Sequence, residues 1–307
     1  MPEGLATAVT PSATAAAPNG LADRVRRTVA LLERRGYALS PARLAAVCLG
    51  GAVSPAELLA SLPGSGLEVE SGLVVSGSGR AVADAVRRRQ SAHDSAAPGY
   101  VAEAERFGRA LAAWFPFVLS VSIAGSLASG GFRETDDVDL NLVVEDGRRH
   151  LAYVALNLLG IAHALRHRGK PVDTHSARPL APRVMTANLV LERSQCFPLA
   201  RQDEDMAYEL LASRSVVGGA FLTAVVSANP GIVEHFPQLR EAVGGSCTEV
   251  RRRLPRGLFP ALLERPARAI GRAAWKYMQW TRRNRPEAIA RVAFVRSTMR
   301  PYALFDD

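Results

Sequence analysis

Two short stretches of this 307-residue chain carry residue types and a spacing suited to phosphate chemistry. The first ends an apolar run, Val121-Ser-Ile-Ala-Gly125-Ser126. Ten residues later comes Asp137-Val138-Asp139, which opens the run Leu140-Asn-Leu-Val-Val144. Glycine lets the backbone approach a ligand without a Cβ, and the amides that follow open a helix N-terminus, where phosphate is favoured. Ser126 adds a hydroxyl donor for a phosphate oxygen. Asp137 and Asp139 alternate with Val138 along a strand, so both carboxylates project from one face, about 7 Å apart, while Val138 points into the core. Two carboxylates so arranged can flank paired Mg²⁺ ions, the metals that hold a nucleoside triphosphate and neutralise charge at its α-phosphorus.

The elements that must position these groups read as a strand over Phe117–Ile123, a tight turn into a short helix, a loop and a second strand. Trp114–Phe132 carries no charge but contains Pro116, Gly125, Gly130, Gly131 and four serines, which suits a buried strand and turn better than a membrane span. Upstream, Val25, Val29 and Leu32 recur at helical spacing and Gly36 closes the helix. Ser40-Pro41 starts a second helix, and Ser54-Pro55 starts a third with Glu57 completing a capping box. Leu67–Glu70 and Leu73–Val75 around Ser71-Gly72 predict a β-hairpin. Three helices and a hairpin over roughly 21–79 resemble a winged helix. Its third helix, Ser54–Leu62, has no Arg, Lys, Asn or Gln to read bases, and the hairpin carries Glu68 and Glu70. A docking or lid role fits it better than DNA binding. A basic connector helix follows over Arg80–His93, and Pro98-Gly99 marks a boundary before a helix at Tyr100–Trp114. Beyond the acidic pair, the pattern predicts a helix near Arg149–Arg168, short strands near Pro171–His175 and Val184–Leu191, then helices to the end.

The combination of apolar strand, Gly-Ser, a ten-residue gap and Asp-Val-Asp resembles the nucleotidyltransferase superfamily that includes DNA polymerase β and the antibiotic nucleotidyltransferases. Thr186-Ala-Asn188-Leu-Val-Leu-Glu192, Asp205-Met-Ala-Tyr-Glu-Leu and Ala228-Asn229-Pro-Gly-Ile-Val-Glu-His-Phe236-Pro237 are similar to segments of a bacterial subgroup with an N-terminal winged-helix-like domain. The resemblance implies an α+β fold in four parts. These are a tail (1–20) whose Ala, Thr, Pro and Ser composition reads as disordered, the winged-helix-like domain and connector (21–93), a polymerase β-like core (99–205) and a basic helical C-terminal domain (206–307). It implies Mg²⁺-dependent transfer of a nucleoside monophosphate from an NTP, ATP among them, to an unidentified small-molecule hydroxyl or protein. Gly125 and Ser126 would hold the triphosphate and Asp137 and Asp139 the metal. Members of the superfamily usually carry a third carboxylate on a later strand. Here the obvious later strand offers Asn188, so Asp173 is the candidate, with Glu192 behind it. Lys170, with Arg168 and Arg133 nearby, would meet the phosphates. Asp136 and Glu134 read as solvated loop acids. The alternative is a non-catalytic nucleotide-sensing or DNA-binding regulator that keeps the fold.

Composition narrows the rest. Cys48, Cys196 and Cys247 are far apart, which excludes a disulfide framework and a thiolate zinc site and fits a reducing cytoplasm. His163 and His167 sit four apart on a helix with His175 following, but no Glu lies between the first two as a zincin helix needs, so they read as ordinary histidines. No nucleophile elbow or P-loop occurs, and no signal peptide is visible. The formal charge is +9, and only Lys170 and Lys276 among the 38 basic residues are lysines, an arginine and alanine bias typical of a high-GC bacterial genome. The excess lies in 251–307, a segment that reads as a solvated basic face, with nucleic acid as a less favoured partner.

Overall fold

The computed structural model describes residues 20–166, 185–242, 250–284, 286–299 and 301–305, and the chain is mixed α+β. Helix α1 (Leu21–Arg34) buries Val25, Val29 and Leu32, the stripe its apolar spacing predicts. Thr28 joins that face because its hydroxyl donates to the Arg24 carbonyl at 2.7 Å and accepts from the Leu49 amide at 3.0 Å. Helix α2 is Pro41–Ala46. Helix α3 (Pro55–Ala60) starts with the expected capping box, Glu57 N donating to Ser54 Oγ at 3.1 Å and Ser54 N to the Glu57 carboxylate at 2.8 Å. Strands β1 (Leu67–Glu70) and β2 (Leu73–Ser76) form an antiparallel hairpin, turned at Ser71 and Gly72 with φ of 51° and 75°. Positive φ at both turn residues matches the right-handed strand twist, and glycine tolerates it at no steric cost.

Helix α4 runs unbroken from Ala83 to Trp114, through the boundary expected at Pro98-Gly99. Proline in a helix interior costs about 3 kcal/mol. Here it removes one bond, to the Asp94 carbonyl, on an exposed face beside small residues. Packing at both ends holds the helix together. Gln90 Nε2 donates to the Ala38 carbonyl at 2.6 Å, and Phe107 and Leu111 are buried against the sheet.

The second sheet contains β3 (Val118–Ala124), β4 (Val138–Val144), β5 (Met185–Glu192) and β6 (Arg214–Val217), in spatial order β5-β4-β3-β6. β3 is antiparallel to β4 and β6, whereas β4 and β5 are parallel. A parallel pair needs a crossover, and α6 (Arg149–Ala164) supplies its helical part. Strand β6 lies past the boundary expected at 205, so the sheet is completed by the segment read as a C-terminal domain. Four residues are too few to stand out as a strand until they pair with β3.

Alternation divides the sheet. Val138, Leu140, Leu142 and Val144 join the core under α4 and α6. Val143, Leu189 and Leu191 share the opposite core with α1, with α7 (Glu204–Ala212), with α8 (Gly219–Ala228) and with α9 (Pro230–His235). The N-terminal helices are therefore packed onto the sheet's front through one continuous apolar cluster. Helix α10 (Leu239–Ala242) follows, and α11 (Glu264–Arg282) and α12 (Pro286–Met299) are the last helices among the described residues. Part of the basic segment is structural. Arg252 donates to the carbonyls of Ala112 and Val118, and the Glu264 carboxylate accepts the first amides of α6, His150 N at 2.7 Å and Leu151 N at 3.0 Å. No helix among the described residues is long and apolar enough to cross a membrane.

Candidate functional site

A cleft of about 370 Å³ opens between the sheet's front, the end of α1 and helix α7. Its first wall is the turn from β3 into α5 (Gly125–Ser129). Gly125 has φ +61°, and a Cβ placed there would sit 2.2 Å from Asp139 Oδ2 and 2.9 Å from Asp139 Cβ. Only glycine allows the strand bearing Asp139 to come this close. Asp139 lines the cleft, paired across the ladder with Ala124 on one side and Thr186 on the other. Thr186 Oγ1 donates to Asp139 Oδ1 at 2.9 Å. Asp137 is half-buried one residue before β4 and shares the face of Asp139 by alternation.

Ser126 lines the cleft, but its hydroxyl is turned to Asp136 Oδ2 at 3.3 Å. Asp136 is buried, 6% exposed, where a solvated loop acid was expected. It also accepts from Arg133 N at 3.1 Å and pairs with the guanidiniums of Arg133 (3.3 Å) and Arg89 (3.5 Å). Burial of a carboxylate demands such donors. Asp136 thus holds together the loop between the two motifs, and Arg133 is committed to it.

The opposite wall comes from residues to which the sequence reading gave no role in the site, although Asp205 and Glu209 lie in a segment quoted for the resemblance. Arg34 ends α1, Arg35 and Tyr37 follow it, and Asp205 and Glu209 of α7 line the same cleft. Arg35 pairs with Asp205 at 3.2 Å and with Glu209 Oε2 at 3.1 Å. Glu209 Oε1 accepts from Asn141 Nδ2 at 3.1 Å and Asn188 Nδ2 at 2.8 Å. Burial pushes the Tyr37 hydroxyl above its ordinary value; Arg89 opposes this, and the carboxylates of Asp139 and Glu209 add to it. Tyr208, behind the wall under the Arg35 guanidinium, is pushed up to about 12 by burial. A signal existed in the sequence, since Asp205 and Glu209 are four apart and so share one face of a helix.

The candidates for a third carboxylate fare differently. Asp173, Lys170 and Arg168, with His167 and His175, lie outside the described residues. Glu192 does not serve. It pairs with Val144 at the far end of β5, six residues or ~20 Å from Thr186, and its side chain accepts from Gly147 N at 3.1 Å. Asn188 is not the residue opposite Asp139. The ladder goes from Leu140–Ala187 to Asn141–Leu189, so Asn188 is the extra residue of a bulge, and Thr186 holds the position beside Asp139. Among the described residues, no three side chains of His, Cys, Asp or Glu gather to hold a metal ion. His163 sits against Glu103 at 3.8 Å with its ring edge toward Phe107, packed between α6 and α4. Cys48 and Cys196 are free and buried, and Cys247 lies outside the described residues.

Compared with known proteins, the chain matches no family model, no curated protein and no solved structure. The cleft is lined by Gly125 and Asp139 on the side of the β3 turn, with Asp137 two residues before Asp139, and by Asn188, Glu209 and Arg35 as a hydrogen-bonding group, together with Tyr37.

Proposed function

We propose that the chain is a nucleotidyltransferase, with a polymerase β-like core and a winged-helix-like N-terminal domain. It would transfer a nucleoside monophosphate from an NTP to a hydroxyl-bearing acceptor, with pyrophosphate leaving. The observation that carries this reading is the packing of the Asp139 carboxylate against the Cα of Gly125, which joins the two sequence motifs in one cleft.

The donor set suits Mg²⁺, a hard ion that takes oxygen ligands and is commonly held by one or two carboxylates together with substrate phosphates. Asp137 and Asp139 would hold it, and when bound it supplies charge neutralisation at the transferred phosphoryl group. Thr186 orients the Asp139 carboxylate through its hydroxyl. Gly125 leaves room for that carboxylate itself. The Ser126 hydroxyl, bonded to Asp136, steadies the turn. Lys170 and Asp173 complete the proposal as a phosphate contact and a third carboxylate.

The test is turnover. Purified protein with Mg²⁺, each NTP labelled at the α-phosphate and a mixture of small-molecule extract should yield a labelled adduct and pyrophosphate, read by mass spectrometry. Asp137→Asn and Asp139→Asn should keep the fold and lower the rate by about two to four orders of magnitude, since metal stabilisation of the transition state is worth several kcal/mol. Unchanged turnover in the double variant would overturn the mechanism.

A second reading, a nucleotide-sensing regulator, is favoured by Thr186 standing beside Asp139 where an acid would add a ligand. It predicts Mg²⁺-dependent NTP binding without turnover.

A further inference from the structure

The hydrogen bonds around Asn188 leave its carboxamide only one orientation. Glu209 contributes a carboxylate, which accepts and does not donate, so both neighbouring amides must turn their NH₂ groups toward it. Asn141 gives one N–H to Glu209 Oε1. Asn188 gives one N–H to the same oxygen and its second to Asn141 Oδ1 at 2.9 Å. With both hydrogens used, Asn188 Oδ1 points away from the network. Among the described residues no group donates to it, and Asn188 lines the cleft. Arg35 fastens the other oxygen of Glu209, so the orientation is held from two sides. The result is an acceptor of fixed direction in the cleft.

Its position along the strand suggests what it meets. Asn188 follows Thr186 by two residues, about 7 Å along β5, and Thr186 is bonded to Asp139. That span is comparable to the reach from a nucleotide's phosphorus to the hydroxyls of its sugar. We propose that Asn188 Oδ1 accepts a hydrogen bond from a sugar hydroxyl of the nucleotide, so that the cleft selects ribonucleotides over a deoxy analogue. Glu209 is the positioning residue that aims Asn188. The proposal rests on the nucleotide-binding reading of the cleft.

Selection follows because a ligand lacking the hydroxyl would cover the carbonyl of Asn188 and leave it unsatisfied, which costs about tenfold or more in affinity. Calorimetric titration with Mg²⁺ and ATP, 2′-deoxyATP or 3′-deoxyATP tests it. The native protein should bind one of the two deoxy nucleotides about tenfold or more weakly than ATP. Asn188→Ala should weaken ATP and, with no carbonyl left to bury, should bind the analogue no more weakly than the native protein does, so that the ratio between the two collapses. Glu209→Gln, which keeps the side chain's volume, should shrink the ratio in the same way, with melting temperature measured beside each variant. A purely structural role would weaken all three nucleotides alike and preserve the ratio. Equal affinity of the native protein for all three overturns the sugar contact and leaves nucleotide binding standing. No binding of any of them overturns both readings.

Discussion

Gly125 and Asp139 occupy each other's space: the Cβ that any other residue would bring to position 125 falls 2.2 Å from Asp139 Oδ2. The neighbouring Asp139 Cβ, at 2.9 Å, belongs to a paired strand and cannot swing away as a flexible side chain would. Gly125→Ala should therefore lower stability by about 2–4 kcal/mol, combining strain at positive φ with overpacking. Urea denaturation measures it. A loss below 0.5 kcal/mol would mean that the turn and β4 are not in this contact.

The register of β4 and β5 separates two substitutions that look alike in the sequence. Thr186→Asp puts a third carboxylate beside Asp139. It should raise affinity for Mg²⁺ or Mn²⁺ in calorimetry and lower the melting temperature when no metal is present, because like charges then adjoin. Asn188→Asp should not raise metal affinity. It sets a second carboxylate against Glu209, so it should lower the melting temperature through like-charge repulsion. Stronger metal binding in Asn188→Asp than in Thr186→Asp would refute this register.

Glu264 gives the fold an acid-sensitive clasp. Burial tends to raise its carboxyl, but bonds from the His150 side chain and from the amides of His150 and Leu151 outweigh burial and hold it below the ordinary glutamate value of 4.5. A depressed folded value means that the carboxylate's contribution is complete above the unfolded value and is lost as pH falls through the folded one. Glu264→Gln should therefore lie below the parent in melting temperature at pH 7. The gap should narrow as pH falls below 4.5. A gap that widens in acid would reverse the sign of the argument.

Pro98 stands exposed in the middle of a 32-residue helix. Pro98→Ala restores a backbone bond and removes a clash without opening a cavity, so it should stabilise the protein by about 1–3 kcal/mol. Were α4 in truth two helices with a break at this point, the substitution would be neutral or destabilising.

What the sequence determined by itself is what short-range geometry controls. The alternation that sets Asp137 and Asp139 on one face, the capping box at Ser54 and the turn at Ser71-Gly72 follow from a few neighbouring residues and could be read in advance. Gly125, expected to make room for a ligand, is instead required by Asp139 across the ladder. Long-range pairing decided the rest. The turn residues at Pro98-Gly99 signal a break, but burial at both ends of α4 overrides them, an energy that no local window contains. Whether Thr186 or Asn188 faces Asp139 depends on a bulge that exists only once β5 is paired with β4. Glu209 reaches Asn141 from 68 residues away and Arg35 from 174, so their meeting is made by the packing of α7 and α1 over the sheet. Asp136 looked like a solvated acid because its donors come partly from Arg89 on α4. The acidic pair belongs to the sequence, while the wall that faces it belongs to the tertiary structure, because side chains distant in the chain become neighbours only when apolar burial brings their elements together.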